Sequence, residues 1–199
     1  RMLSHYMNDS VFTDEILNGD VHTANQKLAG LKTRDIAKTF IYALMYGAGD
    51  ARLGNVMNAG AKAGKKSREL FFENKPAFKK LSDKVKAVAR VRGYVKGLDG
   101  RVIWIRNEHA SLNSLLQGAG AIVMKKALVL LDKHLKDAGF KYKFVANIHD
   151  EWQMEVPKET ADLIGNIGVR AIREAGEHYK LRCPLDGEYK YGRNWSETH

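Results

Sequence analysis

The clearest chemical pattern in the sequence is a set of polar side chains at steps of four residues: Arg34, Lys38, Tyr42 and Tyr46, followed by Gly47. In an α-helix such steps place side chains on one slowly winding face, here about 18 Å long. That face would carry two cations and then two aromatic rings. A nucleoside triphosphate has the same order, because phosphates stand at one end and a stackable base at the other. The spacing therefore fits a triphosphate-binding face, a role that spacing by itself does not establish.

A second pattern is the tripeptide His149-Asp150-Glu151, which has apolar residues on both sides. In a strand the side chains of Asp150 and Glu151 lie on opposite faces, so that one can bind a metal while the other orients it. Carboxylate oxygens are the ligands that Mg²⁺ prefers, and phosphoryl transfer by two Mg²⁺ ions needs few other protein groups.

A third pattern combines His109, Asn113 and Gln117, again at steps of four. Amide and imidazole groups on one helix face can donate to and accept from the minor-groove edge of DNA. Because A·T and G·C pairs share acceptors there, such a face would test the shape of a base pair without reading its sequence.

Each pattern also has a structural interpretation that spacing alone leaves open. Tyr42 and Tyr46 can pack inward on an amphipathic helix while the stems of the cations lie along its surface. Asp150 and Glu151 can stand in an ordinary polar turn, and the third pattern can be a polar helix face.

Helices and hairpins are needed to position these side chains, and the sequence predicts both. Asp20 or Thr23 is a candidate N-cap for a short helix, and Thr33 for a helix from Arg34 to Tyr46 that ends at 47–49. Period two around Asp99-Gly100 predicts a hairpin over 93–106, and a second hairpin is predicted over 141–156. Further helical patterns cover residues 51–57, 65–91 with a break at Pro76, 110–138 and 158–179.

Composition limits the class of protein. The 199 residues are 44% hydrophobic, which is enough for one domain or for two subdomains. A single cysteine, Cys183, excludes an internal disulfide and predicts a reducing, cytoplasmic setting. No apolar run approaches the ~20 residues of a membrane span. The chain starts at Arg1 in what reads as a continuing helix, which predicts a fragment or a processed product.

The positive charge is concentrated in one segment. The net charge is +10, and residues 61–106 contain fourteen Lys or Arg against four acids. Such a segment predicts a polyanionic partner, although solvated helix faces have the same composition.

Taken in order, these segments resemble the family A DNA polymerases, the family of DNA polymerase I. Residues 33–47 are similar to the fingers helix that closes on the incoming nucleotide, and 149–151 to the second carboxylate motif of the palm. Residues 20–23, Asp-Val-His-Thr, are similar to the segment whose histidine contacts the triphosphate. The end of the chain, from Asn194 to His199, resembles that of the short phage replicative enzymes.

The resemblance implies an α+β fold, with a helical fingers subdomain and part of the antiparallel-sheet palm of a right-hand polymerase. Residues 1–32 would lead into fingers at 33–92 and palm at 93–199. The palm would consist of four parts: a hairpin at 93–106, a long helix at 110–138, the catalytic hairpin at 141–156, and a C-terminal helix and tail at 158–199.

The resemblance also implies DNA synthesis with two Mg²⁺ ions and assigns roles to residues. It implies dNTP binding by His22, Arg34, Lys38, Tyr42 and Tyr46, and catalytic roles for Lys38, Asp150 and Glu151, with Asp150 as a metal ligand. Contacts to primer-template DNA are implied for His109, Asn113, Gln117 and His149. At the position of Tyr42 the family has Phe or Tyr, and Tyr implies efficient use of dideoxynucleotides.

One part of the family pattern falls outside this chain. The first metal-binding aspartate of the family precedes the position of Arg1, and the thumb and any exonuclease domain are also missing. We therefore expect the isolated chain to be nearly inactive and to need an N-terminal polymerase part.

Two competing interpretations remain at this level. Single-subunit RNA polymerases share a similar Arg-Lys-Tyr-Gly helix, but their palm motif tends to Asp followed by Ser and they lack an aromatic residue where Tyr42 stands. A non-catalytic nucleic-acid-binding fragment would retain the basic segment, although it would have no use for a triphosphate-binding face.

Overall fold

The computed structural model describes residues 1–198, so the predicted likeness at His199 lies outside the described residues. The chain divides into two compact units, Arg1–Gly118 and the residues from Ala119 onwards. The helices, in chain order, are α1 Met2–Met7, α2 Ser10–Asn18, α3 Val21–Leu28, α4 Arg34–Met45, α5 Asp50–Val56, α6 Ala61–Asn74, α7 Pro76–Arg92, α8 Ser111–Asp137, α9 Ala161–His178 and α10 Trp195–Thr198. The strands are β1 Tyr94–Lys96, β2 Val102–Trp104, β3 Lys143–Ile148 and β4 Glu151–Glu155.

Side-chain caps start the three helices that lead to the predicted triphosphate-binding face. Asp9 accepts from the amide of Phe12 at the start of α2, and Thr33 accepts from Ile36 at the start of α4. Asp20 caps α3. Each cap satisfies amide groups that have no partner inside the helix, which fixes where the helix begins.

Helix α4 buries one face in the core of the first unit. Ala37, Phe40, Ile41 and Leu44 lie on that face and are less than a tenth exposed. They pack with other apolar side chains of the unit, among them Leu53, Phe71, Phe78, Leu112 and Leu115. Burial of these side chains sets the rotation of α4 about its own axis.

Helices α5 and α6 pack closely because glycines face each other. A Cβ at Gly64 would lie 2.5 Å from the amide nitrogen of Gly54. Between α6 and α7, the buried Lys75 pairs with Glu15 at 3.0 Å and lies 5.1 Å from the ring centre of Phe12. Pro76 then starts α7, where its missing amide hydrogen is not needed.

Both predicted hairpins are present as two-stranded antiparallel sheets. In the first unit β1 pairs with β2, with Val95 opposite Ile103. In the second unit β3 pairs with β4, with Ile148 opposite Glu151 and a register shift between Phe144 and Ala146. Helices plus antiparallel sheets confirm the predicted α+β class.

The second unit has a smaller core. Leu131 and Leu135 of α8 pack against Ile164 and Ala171 of α9, with side chains of the β3–β4 hairpin around them. The tail after α9 lies along that helix, where the hydroxyl of Tyr189 donates to Asp162 at 2.6 Å.

Most predicted elements lie within a few residues of the observed ones, and the differences have local causes. Helix α2 was not predicted, although Asp9 is the kind of residue that signals its start. Residues 158–160 form a 3₁₀ turn and not the first turn of α9. The division at residues 92 and 93 into fingers and palm stays a prediction.

By length and composition alone, the helical segment Glu108–Asp137 is long and apolar enough to cross a membrane. No uninterrupted apolar run in the sequence indicated this segment. A single such helix is weak grounds for a membrane span, because the core helix of a folded domain has the same composition. Leu112, Leu115, Val123 and Leu131 of this segment are buried in the protein.

Candidate active site

The polar face predicted on α4 points to solvent along its whole length. Arg34 and Lys38 are exposed, and Tyr42 and Tyr46 are 46% and 56% exposed. The interpretation in which both tyrosines pack inward is therefore wrong for this helix. Phe40, Ile41 and Leu44 take the inward positions instead, so the tyrosine rings are free to meet another molecule.

Arg34 does not stand alone on this face, because its guanidinium is held by Asp20 from the preceding helix. Nε of Arg34 donates to Oδ2 of Asp20 at 2.7 Å, and Nη2 donates to Oδ1 at 3.2 Å. The same carboxylate accepts from the amides of His22 and Thr23 at 3.0 and 3.3 Å, and from the Thr23 hydroxyl at 2.8 Å. Of the two predicted cap residues, Asp20 is thus the cap and Thr23 a donor to it.

This arrangement sets the charges on the face. The Arg34 hydrogen bond is the largest of several contacts that hold the pKa of Asp20 far below its ordinary value. The same bond raises the pKa of the Arg34 guanidinium. Burial first, and the charge of Arg34 second, lower the pKa of His22. At neutral pH the face therefore combines an ion pair with an uncharged imidazole.

His22 lies beside the middle of the α4 face. Its ring centre is 6.3 Å from that of Tyr42. Its Nδ1 atom is buried, and no hydrogen-bond partner for it exists among the described residues. An exposed aromatic ring next to an imidazole and two cations is a surface suited to a nucleotide.

Two residues of the third polar pattern, His109 and Gln117, meet the C-terminal end of α4, while Asn113 lies between them in sequence and is half-buried. Nε2 of Gln117 donates to the hydroxyl of Tyr46 at 3.3 Å. Gly47, with φ 79°, lies directly against His109, since a Cβ there would be 2.8 Å from the His109 carbonyl carbon. Two predicted sets of site residues are thus brought together within the first unit.

A second ion pair joins α7 to the turn that contains His109. Nε and Nη2 of Arg90 donate to the Glu108 carboxylate at 2.7 and 3.0 Å. The contact raises the pKa of Arg90 and lowers that of Glu108. Asn107 accepts from the His109 amide at 2.9 Å, which starts the short 3₁₀ turn before α8.

In the second unit, the three residues of the predicted carboxylate motif lie at the turn of the β3–β4 hairpin. His149 has φ 53°, a left-handed conformation that closes the turn. Asp150 is exposed, and Glu151 begins β4 and is half-buried. Gln153, two residues further on the same strand face, donates to Glu151. The Asp150 carboxylate has no hydrogen bond or ion pair within residues 1–198.

The carboxylates of this hairpin are the type of ligand that a hard cation prefers, but there are too few of them to hold one. Mg²⁺ takes oxygen ligands, and Asp150 presents two carboxylate oxygens at the protein surface. No group of three or more His, Cys, Asp or Glu side chains that could hold a metal occurs among the residues that the structure describes. A metal-ligand role for Asp150 therefore stays a prediction.

Two residues of the site were missed as partners by sequence reasoning. Sequence patterns assign Asp20 a role as a helix cap and a place in the 20–23 segment, but not a role as the partner of Arg34, and they assign Glu108 no role. Arg34 is fourteen residues from Asp20, and Arg90 is eighteen from Glu108. Neither spacing is that of neighbours within one helix, so no local pattern indicates these pairs.

Known proteins with similar sequences are DNA polymerases. The sequence profile of DNA polymerase family A matches residues 1–197. The DNA-directed DNA polymerase of Enterobacteria phage T3 is 40% identical over 223 residues, and that of Escherichia phage T7 is 38% identical over the same length. Each alignment includes all of this chain and 32% of the relative, so the chain spans about a third of their length.

A more distant relative is also a DNA polymerase, and a solved polymerase domain has a similar fold. DNA polymerase I of Aquifex aeolicus is 30% identical over 214 residues, covering 99% of this chain and 37% of the relative. The POL domain of Pol1 from M. smegmatis, solved with DNA primer-template and dNTP, has a TM-score of 0.88 at 23% identity, covering 99% of this chain and 38% of that one. The family profile and the phage and bacterial relatives favour the DNA polymerase over the RNA polymerase interpretation. The chain belongs to DNA polymerase family A.

Proposed function

We propose that this chain supplies the nucleotide-binding helix and one catalytic carboxylate for template-directed DNA synthesis. The observation that carries the proposal is the outward face of α4, where two cations and two tyrosines follow one another beside His22. Arg34 and Lys38 bind the triphosphate, and His22 contacts it from α3. Tyr42 meets the sugar and Tyr46 the base.

The chemistry is nucleotidyl transfer to a primer 3′ end. Asp150 is a ligand for Mg²⁺, Glu151 orients the site from the start of β4, and Lys38 stabilises charge on the phosphates during transfer. Two Mg²⁺ ions, when bound, supply positive charge that activates the 3′ oxygen and stabilises the leaving pyrophosphate.

Primer-template DNA is the proposed polyanionic partner. His109, Asn113 and Gln117 contact the primer-template, and His149 does so from the hairpin turn. The excess of Lys and Arg over residues 61–106 attracts the phosphate backbone, a contact that weakens as salt rises. The cytoplasm of a bacterial or phage-infected cell is the proposed location, since the relatives are polymerases of phages and bacteria.

We also propose that an N-terminal polymerase part completes the enzyme, with the first catalytic aspartate, the thumb and any exonuclease domain. Three findings support this. The chain spans about a third of its relatives' length. No group of three or more possible metal-ligating side chains occurs among the described residues, so the proposed ligand Asp150 needs further ligands from elsewhere. Strand β3 also exposes the apolar side chains of Phe144, Val145 and Ile148. Because a two-stranded sheet alone is marginally stable, a further polymerase part that covers these side chains would stabilise the hairpin.

Primer extension with Mg²⁺ and dNTPs tests this function. We expect no product from the chain alone and synthesis when it is mixed with a fragment that ends before Arg1. Product from the chain alone would show that its own carboxylates suffice and that the N-terminal part is not needed. DNA binding without synthesis in either sample would instead support the non-catalytic interpretation.

Dideoxynucleotide use tests the role of Tyr42. In a substrate that lacks a 3′ hydroxyl, the exposed Tyr42 hydroxyl can provide the missing polar group, so the unaltered polymerase should accept it well. Tyr42→Phe removes that hydroxyl, and we expect discrimination against dideoxynucleotides to rise about tenfold or more, the size of one lost hydrogen bond to a charged or buried group.

Competition between dATP and ddATP in primer extension measures this ratio. The matched control is Tyr191→Phe, which removes the hydroxyl of a tail tyrosine that is 63% exposed. Equal discrimination in Tyr42→Phe and Tyr191→Phe would contradict the assignment of Tyr42 to the sugar.

A further inference from the structure

The Asp20 carboxylate joins two helices that both face the proposed triphosphate. It accepts five hydrogen bonds: two from backbone amides of α3, one from the Thr23 hydroxyl and two from the Arg34 guanidinium. Its partners include the amide of His22, the residue that faces Tyr42. One side chain thus sets the start of α3 and the position of the first cation on α4.

Asp20 cannot turn away from this arrangement without losing its cap. If the carboxylate rotated, the amides of His22 and Thr23 would have no acceptor at the exposed start of α3, and such a loss destabilises a helix. The side chains of Arg34 and Asp20 are similarly exposed, at 51% and 44%, but Arg34 caps no helix and is the long, flexible member of the pair. The carboxylate is therefore the fixed anchor, and the guanidinium is the group that it holds.

The contact uses one edge of the guanidinium and leaves another open. Nε and one hydrogen of Nη2 face Asp20. Both hydrogens of Nη1 and the second hydrogen of Nη2 remain. One hydrogen from each of these two nitrogens forms the end-on fork with which arginine binds phosphate. Arg34 can thus bind an oxyanion while Asp20 holds it in place.

We propose that Asp20 is a positioning residue for triphosphate binding, which holds the Arg34 guanidinium with its free end towards the nucleotide and fixes it relative to His22. This inference rests on the proposed function of the α4 face. Holding Arg34 in one orientation reduces the conformational entropy that is lost when the triphosphate binds. Asp20 could instead compete with the phosphates for Arg34 and so weaken triphosphate binding. The experiment below distinguishes these two effects.

Asp20→Asn separates positioning from helix capping. Asparagine is as good an N-cap as aspartate, so α3 should keep its start. The side chain loses its charge and one of the two acceptors that hold Arg34. We expect the dissociation constant of dATP and that of inorganic triphosphate to rise about tenfold, measured by calorimetry on the full chain. The dissociation constant of deoxyadenosine, which lacks phosphates, should not change.

A double-mutant cycle with Arg34→Ala tests whether Asp20 acts through Arg34. In the Arg34→Ala background we expect Asp20→Asn to change the dATP dissociation constant by less than about twofold, because there is no guanidinium left to position. In primer extension by the complete polymerase, Asp20→Asn should raise KM for dNTP and leave kcat largely unchanged.

Two matched variants serve as controls. Asp9→Asn makes the same substitution at the cap of α2, which has no arginine partner among its hydrogen bonds. Asp35→Asn removes a negative charge next to Arg34 without touching the ion pair, and Asp35 acts on Arg34 only through charge. Neither should change triphosphate binding by more than about twofold.

The outcomes distinguish this inference from the proposed function. If unaltered chain binds dATP and Asp20→Asn binds it equally well, the inference is wrong and the proposed function stands. Tighter binding by Asp20→Asn would also overturn positioning and would identify Asp20 as a competitor. An effect of Asp20→Asn that persists in full in the Arg34→Ala background would mean that Asp20 does not act through Arg34. If the unaltered chain binds neither dATP nor triphosphate, the proposed function fails and the inference fails with it.

Discussion

Replacement of Asp150 by alanine is expected to abolish primer extension by the complete polymerase, lowering kcat by about a thousandfold or more. A carboxylate that holds a catalytic Mg²⁺ contributes several kcal/mol of charge stabilisation in the transition state, and about 1.4 kcal/mol corresponds to each tenfold in rate. The Asp150 side chain is exposed at a hairpin turn and has no partner within residues 1–198, so its loss should not disturb the fold.

Single-turnover extension, with thermal unfolding as a check on the fold, measures this effect. Asp137→Ala is the matched control, because Asp137 is an exposed aspartate of the same unit at the end of α8. We expect Asp137→Ala to retain full activity and both variants to keep the unfolding temperature of the unaltered chain. Substantial synthesis by Asp150→Ala would mean that another carboxylate, with Glu151 the nearest, binds the metal.

The second large effect is expected at Gly47, where the α4 face ends. Gly47 has φ 79°, and a Cβ would overlap the carbonyl group of His109. An L-residue in this conformation costs about 1–2 kcal/mol before any overlap is counted. The overlap involves backbone, which cannot move aside as a flexible side chain can. We therefore expect Gly47→Ala to lower the free energy of unfolding by roughly 2–4 kcal/mol.

Gly49→Ala is the matched control for Gly47→Ala. Gly49 lies two residues further on, caps α5 with φ −76°, and has no atom within 4 Å of a built Cβ. Urea unfolding should show a change of less than about 1 kcal/mol for Gly49→Ala. Because Gly47 adjoins Tyr46 and His109, Gly47→Ala should also weaken DNA binding. Equal stability of the two variants would contradict the close contact between the end of α4 and the turn before α8.

Local signals in the sequence predict much of the secondary structure. Thr33 and Gly47 mark the start and end of α4, Pro76 separates α6 from α7, and Asp99-Gly100 marks the turn between β1 and β2. Each of these residues acts through its own backbone or that of its near neighbours, so its effect can be read from a few letters. Helix α2 could have been predicted from Asp9 by the same reasoning.

The candidate site was predicted in part. Steps of four residues place Arg34, Lys38, Tyr42 and Tyr46 on one face in any helix, since the period of the helix requires it. Steps of four do not say whether that face points to water or to the core. The burial of Phe40 and Leu44 decides this, and their burial depends on side chains from α5, α6, α7 and α8.

Family membership and the order of motifs follow from sequence, because they depend on which residues are present and in what succession. Contacts between distant residues do not. The pairs of Asp20 with Arg34, Arg90 with Glu108, and Gln117 with Tyr46 join residues fourteen, eighteen and seventy-one positions apart. Such pairs form because core packing brings their helices together, and packing depends on the combined shape of many side chains and not on any short pattern.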